Sequence, residues 1–386
     1  MSTFFSSAWV VKTTIFPAGF GIVALLAFLG IIVWQEPWPV AGVVHLMLAV
    51  GAMPLILAAM IYFTPVLTRS RSASRWINRL PLLALVAGGV GAVAVFQGRW
   101  LVGVAVPMTV PIVALVLGWT IHRARRALGA PHPGLIWYQA ALVGLMLGLL
   151  AMLASLVWPE QWLLLRTIHR HFNLLGFVGL TAVGTLQVLL PTVGDYADPM
   201  AGQRLRLDLK YAVLGVLWMT GGATVWPGLS WLGLGAWSWV VAGVVRPLRG
   251  DSLRQMVHTN GAALSLLCAL LGFWLVLGSA LWQDGSVALP LFFSLFLFPL
   301  VTGALAHLLP IWWWPGLPTP QRQQAQYRLG RFALLRIGTC WLGGAGMMMG
   351  ASWGGGLAGA PVLWFLAQVG WLLREQAAAS VGRSSS

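Results

Sequence analysis

The chemistry open to this chain rests on a few histidines set in apolar surroundings. His45 lies inside one long apolar run. A later run opens with Arg166-Thr167-Ile168-His169-Arg170-His171-Phe172-Asn173. Ionisable side chains at membrane depth are costly and by default mark function. A neutral imidazole suits both iron and copper. If the two runs are neighbours, His45 and His171 face one another across a metal ion or a heme. His169 stands two residues from His171, about 200° round an ideal helix, so the two cannot both point at one centre without a local distortion. His169 is then a further ligand or a hydrogen-bond donor behind the pair. Arg166 and Arg170, four residues apart, share a helix face and bracket the turn carrying His169. Such guanidiniums can each hold a carboxylate through two parallel hydrogen bonds, which fits a heme propionate as well as Glu160 or a lipid phosphate. His258 and His307 begin and end two later runs and suggest a second metal site at the other membrane face. For all five histidines the competing reading is an imidazole wetted by headgroups or bonded to backbone. His122 and His132 fall in a basic loop and read as solvated.

What is missing restricts the chemistry further. The eight carboxylates, Glu36, Glu160, Asp195, Asp198, Asp208, Asp251, Asp284 and Glu375, fall in loops or at the ends of apolar runs. A proton pump or ion-coupled transporter needs such groups in mid-membrane, so neither is expected. Cys268 and Cys340 sit in apolar runs, with no CxxC pair and no CxxCH for covalent heme.

The elements that must position these residues follow from composition. Hydrophobic residues make up 59% of the chain and charged residues 8%, with a mean hydropathy of +0.84. A soluble domain carries about 25% charged residues, so the chain belongs in a lipid bilayer. Continuous apolar runs of helical-span length, about 20 residues, exclude the alternating pattern of a membrane β-barrel. Breaks in charge, Pro and Gly divide the chain into runs near 9–34, 39–67, 81–97, 100–122, 135–158, 163–191, 209–226, 228–246, 253–281, 287–312, 331–350 and 354–374. The expected fold is an all-α polytopic bundle of about twelve transmembrane helices. The weakest cuts are at Gln97–Trp100, Trp226–Gly228 and Gly350–Gly354. Of the 23 Lys and Arg residues, all but Arg99, Arg166 and Arg170 fall on one side. Basic residues flanking spans stay on the cytoplasmic side. Both termini are therefore expected in the cytoplasm, in a cytoplasmic (inner) membrane. The net charge of +15 is a topology signal and not a nucleic-acid footprint.

Three of the runs share an ending: Thr64-Pro65-Val66, Leu190-Pro191-Thr192-Val193 and Leu309-Pro310-Ile311. Twenty residues before these prolines stand His45, His171 and Pro290, and seven before the last two stand Gly184 and Gly303. The pattern suggests one integral membrane domain of three related four-helix units, near 9–122, 135–246 and 253–374, with the second helix of each at a common axis. Residues 375–386 read as a cytoplasmic tail.

These features together resemble subunit I of the heme–copper oxidases, and more closely the short oxidase-like membrane proteins that include the NnrS group linked to nitric oxide stress. The resemblance rests on the three units, on the histidines of spans two and six, and on the stretch from His169 to Thr181 followed by Leu190-Pro191-Thr192-Val193. It implies heme or copper as cofactor and work in electron transfer, nitric oxide response or metal handling. A periplasmic cupredoxin or cytochrome is the implied partner. The chain departs from a true oxygen reductase. The outer part of span ten, Pro290 to Phe296, lacks the family's histidines, span seven has none, and Leu175 stands where the family places a tyrosine after the span-six histidine. Oxygen reduction of the family type is not expected, and whether the chain is an enzyme stays open. Two alternatives remain: a copper or small-solute carrier, for which Met347-Met348-Met349 offers thioethers, and a membrane anchor or assembly subunit for a periplasmic redox protein.

Overall fold

The computed structural model describes residues 7–34, 39–97, 101–248, 250, 253–254, 256, 260–282 and 285–384, the side chains of 7–16, 285–287 and 376–384 excepted. Among the described residues the chain is 86% helix and contains no strand. Its helices are α1 (Ser7–Phe28), α2 (Val40–Leu67), α3 (Ile77–Gln97), α4 (Val102–Arg125), α5 (Gly134–Val157), α6 (Pro159–Gly194) and α7 (Ala201–Thr224). There follow α8 (Gly228–Val245), α9 (Gly261–Ser279), α10 (Ala288–Trp313), α11 (Pro320–Gly330), α12 (Ala333–Met348) and α13 (Gly354–Ser384). Nine of them, α2 to α6, α8 to α10 and α13, are long and apolar enough among the described residues to cross a bilayer. The outward face of α3 displays Leu82, Leu83, Val86 and Val93, all exposed. An apolar face of this kind has no place in water. The molecule is a multi-pass membrane protein.

The remaining expected runs are also helical, as α1, α7 and α12; α7 is more polar in its first turns and α12 shorter than a full span. The chain breaks where α7 gives way to α8 and where α12 gives way to α13, as the short Gly-containing cuts predict. The cut at Gln97–Trp100 falls largely outside the described residues. Two helices extend beyond their apolar runs. Helix α7 starts at Ala201, ahead of its apolar run, so Asp208 is no loop residue; it is 1% exposed, and its carboxylate lies 3.9 Å from Arg204 Nε. Arg204 in turn pairs with Asp198 at 2.6 Å, which lets the early turns of the helix pack instead of fraying. The expected tail after residue 374 is likewise helical to Ser384, continuing α13 through an Ala-rich segment of high helix propensity.

Helices α2, α6 and α10 form the interior. Between them lies a cavity of about 110 Å³, lined by side chains such as Met60, Leu186 and Leu305 and closed by Tyr138 of α5. Its few hydroxyls are satisfied: Thr181 donates to the Phe177 carbonyl at 2.7 Å and Thr185 to Tyr138 Oη at 3.4 Å.

The three helices share more than their prolines. Each contains a π-helical stretch, Leu46–Ala52 in α2, Phe172–Gly179 in α6 and Phe292–Leu297 in α10, starting 19, 19 and 18 residues before Pro65, Pro191 and Pro310. In each, the proline carbonyl accepts a terminal bond, from Ser70 N at 2.9 Å, Tyr196 N at 3.2 Å and Trp314 N at 2.9 Å. Each proline removes one N–H bond to the carbonyl four residues back, and each helix ends within three residues of it. Neighbouring glycines press on the π stretches. A Cβ on Gly88 would strike the Ala49 carbonyl oxygen and one on Gly272 the Leu295 carbonyl oxygen, while one on Gly144 would lie 2.9 Å from the Gly176 carbonyl carbon. Small residues let membrane helices approach to backbone contact. At these three positions that approach accommodates the wider π turn.

Candidate functional site

The N-terminal halves of α2 and α6 carry the histidines, each next to or just before a π stretch. His45 is the last α-helical residue before Leu46–Ala52, and His171 the last before Phe172–Gly179. A π turn re-aims the side chains that follow it and is frequent at functional sites. The rings of His45 and His169 lie parallel within 11°, with centroids 6.2 Å apart. This corrects the expected pairing: His169 faces His45, and His171 does not. The reason is the angular offset between positions two apart on a helix, which leaves room on the α2 side for one of the two imidazoles.

His171 points to a different environment. With Arg170, Met219 of α7, Val276 of α9 and Phe292 of α10 it lines a separate cavity of about 70 Å³.

Each imidazole is held by one nitrogen. Nδ1–H of His45 donates to the Ala41 carbonyl at 2.7 Å, and that of His171 to the Thr167 carbonyl at 2.9 Å, both one turn back on the same helix. His169 reaches across to α5, donating from Nδ1 to the Gly148 carbonyl at 2.9 Å. Asn173 donates to the His169 carbonyl at 2.7 Å and stands 3.0 Å from His169 Nδ1. Gly148 is required here: a Cβ would come within 2.7 Å of Asn173 Nδ2 and 3.3 Å of the His169 carbonyl oxygen. Fixing Nδ1–H on a carbonyl sets the tautomer and leaves Nε2 as a free lone pair, the arrangement found behind metal-bound histidines.

The arginines divide between the two environments. Arg166 is exposed, yet close enough to act electrostatically on both His45 and His169; Arg170 is half-buried and acts on His171. Neither forms an ion pair with Glu160 among the described residues.

The second site expected at His258 and His307 does not assemble from what is described. His258 lies outside the described residues. His307, near the end of α10, has Gln326 Nε2 of α11 3.4 Å from its Nδ1, and its carbonyl accepts from the same amide at 3.1 Å. No group of three or more His, Cys, Asp or Glu side chains able to hold a metal ion occurs among the described residues. A closed three- or four-ligand site is thus not formed by them. A heme iron asks less of the protein, two axial ligands at most.

The fit of the His45–His169 pair to such an iron can be tested by distance. Metal–imidazole bonds of about 2.0–2.1 Å, with the ring centre about 1.1 Å beyond the nitrogen, put two opposed imidazoles about 6.3 Å apart. The observed 6.2 Å separation is close to that value, and it also falls within the range for two aromatic rings in direct stacked contact, about 4.5–7 Å. Sequence reasoning missed Gly148 and Asn173 as supports of His169. Asn173 was legible as a polar residue one turn from a histidine; Gly148 was one glycine among 46.

Compared with known proteins, the chain matches no family model and no curated protein.

Proposed function

We propose that this chain is a bis-histidine heme protein of the cytoplasmic membrane, with His45 and His169 as axial ligands, acting in electron transfer. The parallel rings at 6.2 Å carry this reading, supported by the carbonyl bonds that leave both Nε2 atoms free. Heme bound here would be held by His45 and His169 and would supply a one-electron redox centre, the chemistry of electron transfer. Arg166, beside both rings, is positioned to neutralise a propionate. The oxidase subunit I-like architecture belongs to this proposal: twelve spans in three four-helix units, both termini cytoplasmic. Its supports are the recurrent π stretches and proline endings and the one-sided distribution of Lys and Arg. The partner is then a periplasmic cupredoxin or cytochrome. Protein purified from heme-supplied cells should contain one heme per chain with a low-spin Soret spectrum. A folded, colourless product from those cells would overturn the reading.

One observation favours a second reading, copper handling. His171 and Met219 line the same cavity, and imidazole with thioether suits cuprous ion. Bound copper should then fall to background in both Met219→Leu and His171→Ala; copper content unchanged by either rejects it. The methionine run gives no such support, since Met347 is buried and Met349 exposed on different sides of the α12 end.

A further inference from the structure

Remote from the histidines, the α11–α12–α13 corner gathers three arginines. Arg336, in the first turn of α12, is 4% exposed. Its Nη1 donates to the Arg331 carbonyl at 2.9 Å and to Gln368 Oε1 at 3.3 Å, whereas Nε and Nη2 are buried with no partner among the described residues. Arg331 lies over the Phe332 ring at 4.6 Å, Arg336 over Phe365 at 5.3 Å and Arg328 over Trp371 at 5.6 Å. Glu375, 2.6 Å from Arg328, is the carboxylate paired with this group among the described residues. Two positive charges are left over.

The backbone is strained at the same place. Phe332 has φ 63° and ψ 23°, a left-handed conformation that a bulky residue adopts only when its surroundings enforce it. The bend swings α11 into α12 and sets the Phe332 ring edge-on to Trp364 at 6.1 Å. Leu335, Trp364 and Trp371 are exposed alongside. One surface therefore joins uncompensated guanidinium donors to an aromatic and aliphatic wall in the membrane.

We propose that this corner is a binding site for an anionic phospholipid. Its phosphodiester oxygens accept from the exposed Arg331, the buried Arg336 beside it adds positive charge behind the site, and its chains lie along Leu335, Trp364 and Trp371. The excess charge disfavours a zwitterionic headgroup, whose own cation would face guanidiniums. The apolar wall distinguishes a lipid from free phosphate, which would use the charges alone.

The test is a titration of delipidated protein in neutral detergent with phosphatidylglycerol or with phosphatidylcholine of the same chains, bound lipid being counted by native mass spectrometry. Saturable binding that prefers phosphatidylglycerol is expected, and Arg331→Gln should weaken it about fivefold, the worth of one basic residue at a membrane surface. Arg331 is exposed, so this variant tests the site even if Arg336→Gln fails to fold. Arg75→Gln, an exposed arginine in a different loop, should leave binding unchanged. Equal binding of the two lipids, an Arg331→Gln affinity equal to the parent, or full displacement by inorganic phosphate would each overturn the proposal.

Discussion

The N-terminal half of α10 and the N-terminal halves of α2 and α6 are built on one backbone plan and differ in chemistry. All three turn through a π stretch about five turns before a terminal proline. In α2 and α6 that stretch follows a histidine. In α10 it follows Pro290 and Leu291, and its own residues, Phe292 to Leu297, are all buried, with Ser294 bonded back to the Pro290 carbonyl at 2.8 Å. The difference separates what the fold needs from what the site needs. The π turn and its clasping glycines serve close packing in all three helices. The imidazoles that precede the π stretch, and the carbonyls that orient them, belong only to α2 and α6.

Substitutions can break this comparison in order of expected effect. Gly148→Val should be the most damaging to the site, because its side chain would displace Asn173 and the His169 backbone; most of the heme should be lost while the protein still inserts, as read by the heme-to-protein absorbance ratio. Full heme content in that variant would show that the Gly148 carbonyl does not orient the ligand. Gly272→Val is the matched change against α10, whose π stretch follows no histidine. It forces a Cβ onto the Leu295 carbonyl oxygen and should destabilise by about 1–3 kcal/mol or more, the usual cost of overpacking, leaving the spectrum of the folded fraction unaltered. A spectral change here would tie the third unit to the site.

Removing positive charge beside the pair is a finer probe. Arg166→Gln with Arg170→Gln should lower the redox midpoint by tens of millivolts, since the oxidised iron gains when neighbouring cations go, and a potentiometric titration measures it. An unchanged midpoint would return both arginines to the membrane surface. The smallest expected effect is on pH dependence outside the membrane. His132, in the loop before α5, has its Nδ1 occupied by the Gly134 N–H at 3.1 Å, and burial holds its pKa below the ordinary 6.5. A base whose folded pKa is depressed contributes stability above its unfolded value and loses it as pH falls through the folded one. Thermal stability should therefore drop slightly below pH 6.5, and His132→Asn, which keeps an acceptor but does not titrate, should flatten that decline.

Much of this organisation was legible in the sequence because membrane burial writes itself in composition and spacing. The apolar runs map onto helices, and the three proline endings mark α2, α6 and α10, the helices that line the axial cavity. The π stretches were not legible, because Leu46–Ala52, Phe172–Gly179 and Phe292–Leu297 share no residue pattern; what selects them is contact with glycines on neighbouring helices. The choice of His169 over His171 was hidden for a related reason. Helical periodicity states that the two diverge, but which one meets His45 depends on the rotation of α6 against α2, and packing with Gly144 and Gly148 of α5 sets that rotation.

The pairing of His45 with His169 is the central claim, and electron paramagnetic resonance of the ferric protein tests it most directly. Two imidazoles whose planes are within 11° of parallel should give a rhombic low-spin signal, present in His171→Ala and absent from His45→Ala and His169→Ala. A high-spin signal in the parent protein, or a low-spin signal that survives His169→Ala and disappears in His171→Ala, would contradict it.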